Sequence, residues 1–201
     1  DKINKVINQD KFQSFLLHGV TGSGKTEIYI EAVRNCLQKN KTAIILLPEI
    51  SLTPQIAGRF RAVFGDKIAL WHSKLTPSQR SWTWKQICKG GYKVVIGARS
   101  AVFAPLKNLG LIVIDEEQET SFRQDSPEPR YHARDVALMR GKLDSASVVL
   151  ASATPSMESY YNHLNGKYDY IHLKERFGGA KYPKVHVVDM LKEAEETELP
   201  E

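Results

Sequence analysis

Eight consecutive residues, Gly19-Val20-Thr21-Gly22-Ser23-Gly24-Lys25-Thr26, constrain this chain more than any others. They match G-x-x-x-x-G-K-[ST], follow the apolar run FLLH (15–18) and open a helical pattern near Thr26. Glycines let backbone N–H groups wrap around phosphates, and the helix N-terminus adds positive potential. Lys25 is then placed to reach the β- and γ-phosphates of a nucleoside triphosphate and Thr26 to ligate Mg²⁺. A loop of this kind works only between a buried strand and a helix, so ATP and Mg²⁺ are the expected ligands and α/β the expected class.

The rest of the chain has the matching rhythm. FLLH (15–18), AIILL (43–47), KIALW (67–71), KVVIG (93–97), LIVID (111–115) and SVVLA (147–151) are short and almost continuously apolar. Strands that do not alternate are buried on both faces, as in a parallel sheet covered by helices. Between them, residues 26–38, 54–64 and 76–89 place apolar side chains at helical spacing. The third segment opens Thr76-Pro77-Ser78-Gln79, an N-cap, a proline at the first helical position and a capping-box glutamine. The expected architecture is an open, doubly wound, mostly parallel sheet flanked by helices over residues 1–177. From residue 178, GGAKYP suggests a linker, KVHVVDM a possible extra strand and EAEETELPE a solvated acidic tail.

A second cluster stands at the end of the strand LIVI, where Asp115-Glu116-Glu117-Gln118 follow. An apolar strand ending in Asp places a carboxylate beside the magnesium of a phosphate-loop ATPase, and the next glutamate can polarise the attacking water. Asp115 is therefore expected on the metal, with Lys25 and Glu116 as the catalytic pair.

Charge adds a weak pointer to a polyanionic partner. The net +5 hides an acidic end: residues 189–201 hold six acids and one lysine, leaving residues 1–188 at about +10. The two cysteines, Cys36 and Cys88, form no CxxC pair or disulfide framework, which suits a reducing cytoplasm. No 18-residue apolar run and no signal peptide is visible, so no membrane role is expected.

In order and spacing, GVTGSGKT, DEEQ and Ser152-Ala153-Thr154-Pro155-Ser156 resemble motifs I, II and III of superfamily 2 helicases. LLPEISLTPQ (46–55), WHSKLTPSQR (71–80), VVIGARSAVFAPL (94–106) and the stretch 115–140, with RYHARDVA, narrow the resemblance to the PriA family of primosomal replication-restart helicases. It covers the chain from about Phe15 to Met190. It implies a RecA-like first motor lobe, 3′-to-5′ translocation on forked or single-stranded DNA, and partnership with primosome proteins and single-stranded-DNA-binding protein. The arginine that completes the ATP site and the cysteine clusters that bind zinc belong to the family's second lobe, so no zinc is expected here. The family's motif II is usually DEEH; here Gln118 stands at the histidine position, which leaves open how the γ-phosphate is coupled to Ser152 and Thr154 of motif III. Alternatives are an RNA-directed superfamily 2 lobe or, for the lobe alone, a nucleotide- or partner-binding module without turnover.

The resemblance also gives the loops after the strands a nucleic-acid role. Ser51, Thr53, Arg99 and Ser100 offer hydroxyls, a guanidinium and backbone N–H groups suited to phosphates. Downstream, Phe122, Arg123, Arg130 and Tyr131 interleave aromatic and basic side chains, which suits stacking on unpaired bases; the alternative is that Phe122 and Tyr131 pin the loop to the core.

Overall fold

The computed structural model describes residues 2–52, 54–176 and 188. Helix α1 (Lys2–Ile7) leads into β1 (Gln13–Gly19), α2 (Lys25–Gln38), β2 (Thr42–Leu46), α3 (Pro54–Phe64), β3 (Ile68–Trp71), α4 (Pro77–Lys89), β4 (Val94–Gly97) and β5 (Leu109–Asp115). A hairpin of β6 (Arg123–Gln124) and β7 (Tyr131–His132) precedes α5 (Ala133–Asp144), β8 (Ser147–Ser152), α6 (Met157–Leu164) and β9 (Asp169–Leu173). Seven strands form one parallel sheet in the order β3-β4-β2-β5-β8-β1-β9.

Continuous burial of the strands explains the absence of alternation in sequence. Along β5, Leu111 and Val113 join the core beneath α1, α2 and α3, whereas Ile112 and Ile114 join the core beneath α4 and α5. β1, β2 and β8 divide in the same way, so every second side chain feeds the opposite face. The sheet is therefore doubly wound, as expected, and all six expected strands are present with ends displaced by at most two residues.

The start of α4 follows its sequence signal. Thr76 Oγ1 accepts from Gln79 N at 3.2 Å, Gln79 Oε1 accepts from Thr76 N at 3.0 Å, and Pro77 opens the helix. The expected linker, extra strand and tail beyond residue 177 lie outside the described residues apart from residue 188, as does Thr53. No helix among the described residues is long and apolar enough to cross a membrane.

Candidate nucleotide and nucleic-acid site

The phosphate loop joins β1 to α2 and turns through two left-handed glycines, Gly22 at φ 80° and Gly24 at φ 87°. An L side chain rarely adopts either angle, so glycine is the natural occupant of both. Lys25 is 8% exposed, its Nζ donates to Gly19 O at 2.7 Å, and Glu116 Oε1 lies 3.9 Å away. Ser23 Oγ is buried with no hydrogen-bond partner among the described residues. Residues 21–27, Arg59, Asp115 and Glu116 line a cavity of about 410 Å³ at the mouth of the loop.

Asp115 closes β5 on the opposite wall. Tyr29 donates its hydroxyl to Asp115 Oδ1 at 2.7 Å, and Glu116 N donates to the same oxygen at 3.1 Å. Burial raises the Asp115 pKa; the Tyr29 hydrogen bond opposes this and the neighbouring Glu116 charge reinforces it. Glu116 turns the chain with a left-handed φ of 49°, a conformation that costs a non-glycine residue about 1–3 kcal/mol, and its carbonyl accepts from Glu119 N at 2.9 Å.

Gln118 uses both halves of its amide. Nε2 donates to Glu116 Oε2 at 3.0 Å, and Oε1 accepts from Ser152 Oγ at 2.6 Å. Ser152 Oγ in turn accepts from Thr154 N at 2.8 Å. An unbroken hydrogen-bonded chain thus runs from Glu116, 3.9 Å from the Lys25 ammonium, to Ser152 and Thr154, through the position where the sequence departs from the family pattern. Glutamine can do this because it carries a donor and an acceptor at once.

Two neighbours of this chain carry no sequence signal of their own. Glu117 is 1% exposed and accepts from Ser156 N at 2.7 Å, Ser159 Oγ at 2.8 Å and Ser156 Oγ at 3.1 Å, with Arg134 Nη1 at 3.4 Å. It locks the turn after β5 to the starts of α5 and α6, and it holds Arg134 in the fold. At the root of the loop, His18 meets Tyr170 Oη through Nδ1 at 2.6 Å and Ala153 O through Nε2 at 3.2 Å, and stacks on His172. Burial lowers the His18 pKa, with His172 and Lys25 adding to the effect against the Ala153 carbonyl.

The residues expected to meet a nucleic acid are spread over the loops at the same end of the sheet. Ser51 lies half-buried in a short turn after β2. Arg99 and Ser100 begin the turn after β4. Arg99 Nη1 donates to Arg123 O at 2.5 Å and Ser121 O at 3.3 Å, and its guanidinium lies over the Tyr131 ring. The segment read as a loop is in part the β6–β7 hairpin, cross-braced by Gln124 Nε2 donating to the carbonyls of Pro127 and Pro129. Arg123 and Arg130 are exposed on it, and Tyr131 is half-buried, edge-on to Phe103 at 5.1 Å.

Phe122 requires a correction. It is 1% exposed and belongs to the core under α4 and α5, so its ring is not presented to a base. The alternative reading holds for this residue: it anchors the hairpin. Full burial of a phenyl ring outweighs the stacking role that its neighbours in sequence suggested.

A profile of the DEAD/DEAH box helicase family matches residues 2–162. The chain is 48% identical over 197 residues to the replication restart protein PriA of Chlamydia pneumoniae, covering 98% of this chain and 26% of that protein. Its counterpart in Bacillus subtilis (strain 168) is 47% identical over 193 residues, 96% of this chain and 24% of the relative. The chain thus spans about a quarter of the length of these relatives. Among solved structures, RecG bound to a three-way DNA junction superposes with TM-score 0.66 at 25% identity, over 98% of this chain and 26% of that one. A DEAD box protein from Methanococcus jannaschii matches at TM-score 0.56 and 21% identity, over 86% of this chain and 48% of that one. With its phosphate loop, acidic strand end and parallel sheet in the arrangement just described, this chain belongs to the DEAD/DEAH box helicase family.

Proposed function

We propose that this chain is the ATP-binding lobe of an ATP-dependent 3′-to-5′ DNA helicase that acts in replication restart and primosome assembly in the cytoplasm. The observation that carries the reading is the continuous set of contacts from Lys25 through Glu116 and Gln118 to Ser152. A phosphate-binding lysine is there linked to a carboxylate able to orient water and to the segment expected to report on the nucleotide. The replication-restart role rests on the PriA relatives, and DNA as the strand on the DNA-bound RecG structure.

The site fits ATP and Mg²⁺. Among the described residues, Lys25 is a nearly buried ammonium whose nearest carboxylate oxygen is 3.9 Å away and Ser23 Oγ is unpartnered, and a 410 Å³ cavity opens beside both. Thr26 and Asp115 would hold the metal, which supplies charge neutralisation at the phosphates when bound. Lys25 and the loop amides from Gly19 to Thr26 bind and orient the phosphates. Glu116 accepts a proton from the attacking water, and Gln118 fixes one of its oxygens while that happens. Turnover requires an arginine from a second lobe, worth roughly 10³–10⁵ in rate in comparable phosphoryl-transfer sites, so the lobe alone binds nucleotide with little hydrolysis.

The test uses a protein carrying both lobes. Glu116→Gln should retain nucleotide affinity and slow hydrolysis by about 10²-fold or more. Collapse of nucleotide affinity instead would make Glu116 a structural residue. Stimulation of the unsubstituted protein by forked RNA and not by forked DNA would replace this reading with an RNA-directed one.

A further inference from the structure

Tyr29 stands one helical turn beyond Lys25 and Thr26 on α2, on the stripe of the helix that those two residues begin. We propose that Tyr29 is a positioning residue of the metal site: its phenol holds the Asp115 carboxylate in one orientation for Mg²⁺. The helix that carries Lys25 and Thr26 then also sets their partner on β5. The proposal deepens the nucleotide half of the reading above and rests on its assignment of Thr26 and Asp115 to the metal.

If packing were its only task, the position would suit phenylalanine. Tyr29 is 1% exposed and shares the core beneath α1, α2 and α3 with Phe15, Val33 and Val113. Burying a hydroxyl in such a place costs free energy unless the group is hydrogen-bonded. Among the described residues this hydroxyl has one partner, Asp115 Oδ1, to which it donates at 2.7 Å. The polar atom is therefore explained by the carboxylate and by nothing else in the core.

Asp115 shows the complementary arrangement. Oδ1 accepts from both Tyr29 and Glu116 N, whereas no described residue donates to Oδ2. Two donors on one oxygen leave the lone pairs of the other for a cation. Asp115 also has no ion-pair partner among the described residues, so Tyr29 is the only side chain there that holds it. The Glu116 N–H is local and arrives with the turn, but Tyr29 is 86 residues away in sequence and ties the carboxylate to the phosphate-loop helix. Without the phenol the terminal torsion of Asp115, broad by nature, is free to wander.

The experiment measures the affinity of the 201-residue chain for a fluorescent ATP analogue by anisotropy, once in excess MgCl₂ and once in EDTA. The ratio of the two affinities is the magnesium-linked gain. Tyr29→Phe keeps the ring and should leave the affinity in EDTA within about twofold while cutting the gain by about tenfold or more, as for other residues that orient a metal ligand. In an Asp115→Asn background the gain is already lost, so adding Tyr29→Phe should change it no further. Tyr29→Leu should lose the same gain and also melt lower, because the hydroxyl serves the metal and the ring serves the core. Melting curves show that each variant is folded. An unchanged gain in Tyr29→Phe, equal losses in EDTA and MgCl₂, or a further fall on top of Asp115→Asn overturns the proposal and makes Tyr29 a packing residue. A parent chain that binds the analogue with no magnesium-linked gain overturns the Asp115 metal assignment as well and leaves the nucleotide cavity standing. A parent that binds no analogue at all ends the ATP reading itself.

Discussion

Replacing Phe122 by alanine separates an anchoring ring from a base-stacking one. The ring is 1% exposed in the core beneath α4 and α5, and the carbonyls on either side of it, Ser121 O and Arg123 O, are held by Arg99. A buried aromatic of 150–250 Å² at about 25 cal/mol/Å² gives roughly 4–6 kcal/mol as an upper bound, and measured Phe→Ala costs in cores run about 3–5 kcal/mol. For a chain of this size each kcal/mol moves the melting temperature by about 2–4 °C, so Phe122→Ala should melt roughly 6–20 °C lower. Phe122→Leu, which keeps most of the apolar surface, should recover more than half of the loss. Tyr131→Ala removes an edge contact to Phe103 and a cation–π contact to Arg99 from a half-buried position, together about 1–2 kcal/mol. Its larger effect should fall on strand binding, at about 1–3 kcal/mol per base unstacked. Differential scanning fluorimetry and oligonucleotide anisotropy on the same samples give both numbers. A Phe122→Ala chain that melts within about 2 °C of the parent yet loses tenfold or more in strand affinity would refute the anchoring assignment.

Lys25→Ala should abolish binding of a fluorescent ATP analogue while leaving oligonucleotide affinity within about twofold, because Lys25 lines the cavity at the mouth of the phosphate loop and lies away from the loops after β2 and β4. Glu117→Ala leaves Arg134 in the fold without its buried carboxylate and should cost about 3–5 kcal/mol in urea unfolding; a loss below about 1 kcal/mol would mean that the serine hydroxyls alone hold the turn. Cys36 is buried with its thiol pushed up to about 12 by desolvation, whereas Cys88 is exposed, so a disulfide reagent at pH 8 should modify one thiol in the native chain and the second only in denaturant.

Much of the fold was legible because burial on both faces leaves an unbroken apolar run, and the phosphate loop and the capping box of α4 depend on short local contacts. β9 escaped notice because Asp169–Leu173 is an edge strand, buried only in part, whose polar residues interrupt the run. The hairpin strands are two residues each, below any periodicity that a sequence can display. Within Asp115-Glu116-Glu117-Gln118 the residue types resemble one another so closely that only the backbone decides which faces what. The left-handed turn at Glu116 sends Glu117 into the fold and Gln118 across to Ser152. Phe122 was ambiguous for the same reason: an aromatic among arginines reads alike whether it faces a base or the core.

The edge strand has a practical consequence for anyone trimming this lobe to a minimal unit. β9 lies alongside the last five residues of β1, and a methyl group built at Gly19 would come within 3.1 Å of Leu173 Cβ, so the first glycine of the phosphate loop rests directly on the outermost strand. The family profile ends at residue 162, before β9 begins. A version cut at that limit would keep all eight residues of the loop and lose the floor beneath it, exposing the flank of β1 as a fresh, unpaired margin open to self-association. The smallest lobe worth expressing ends after Leu173, some ten residues beyond the end of the family profile.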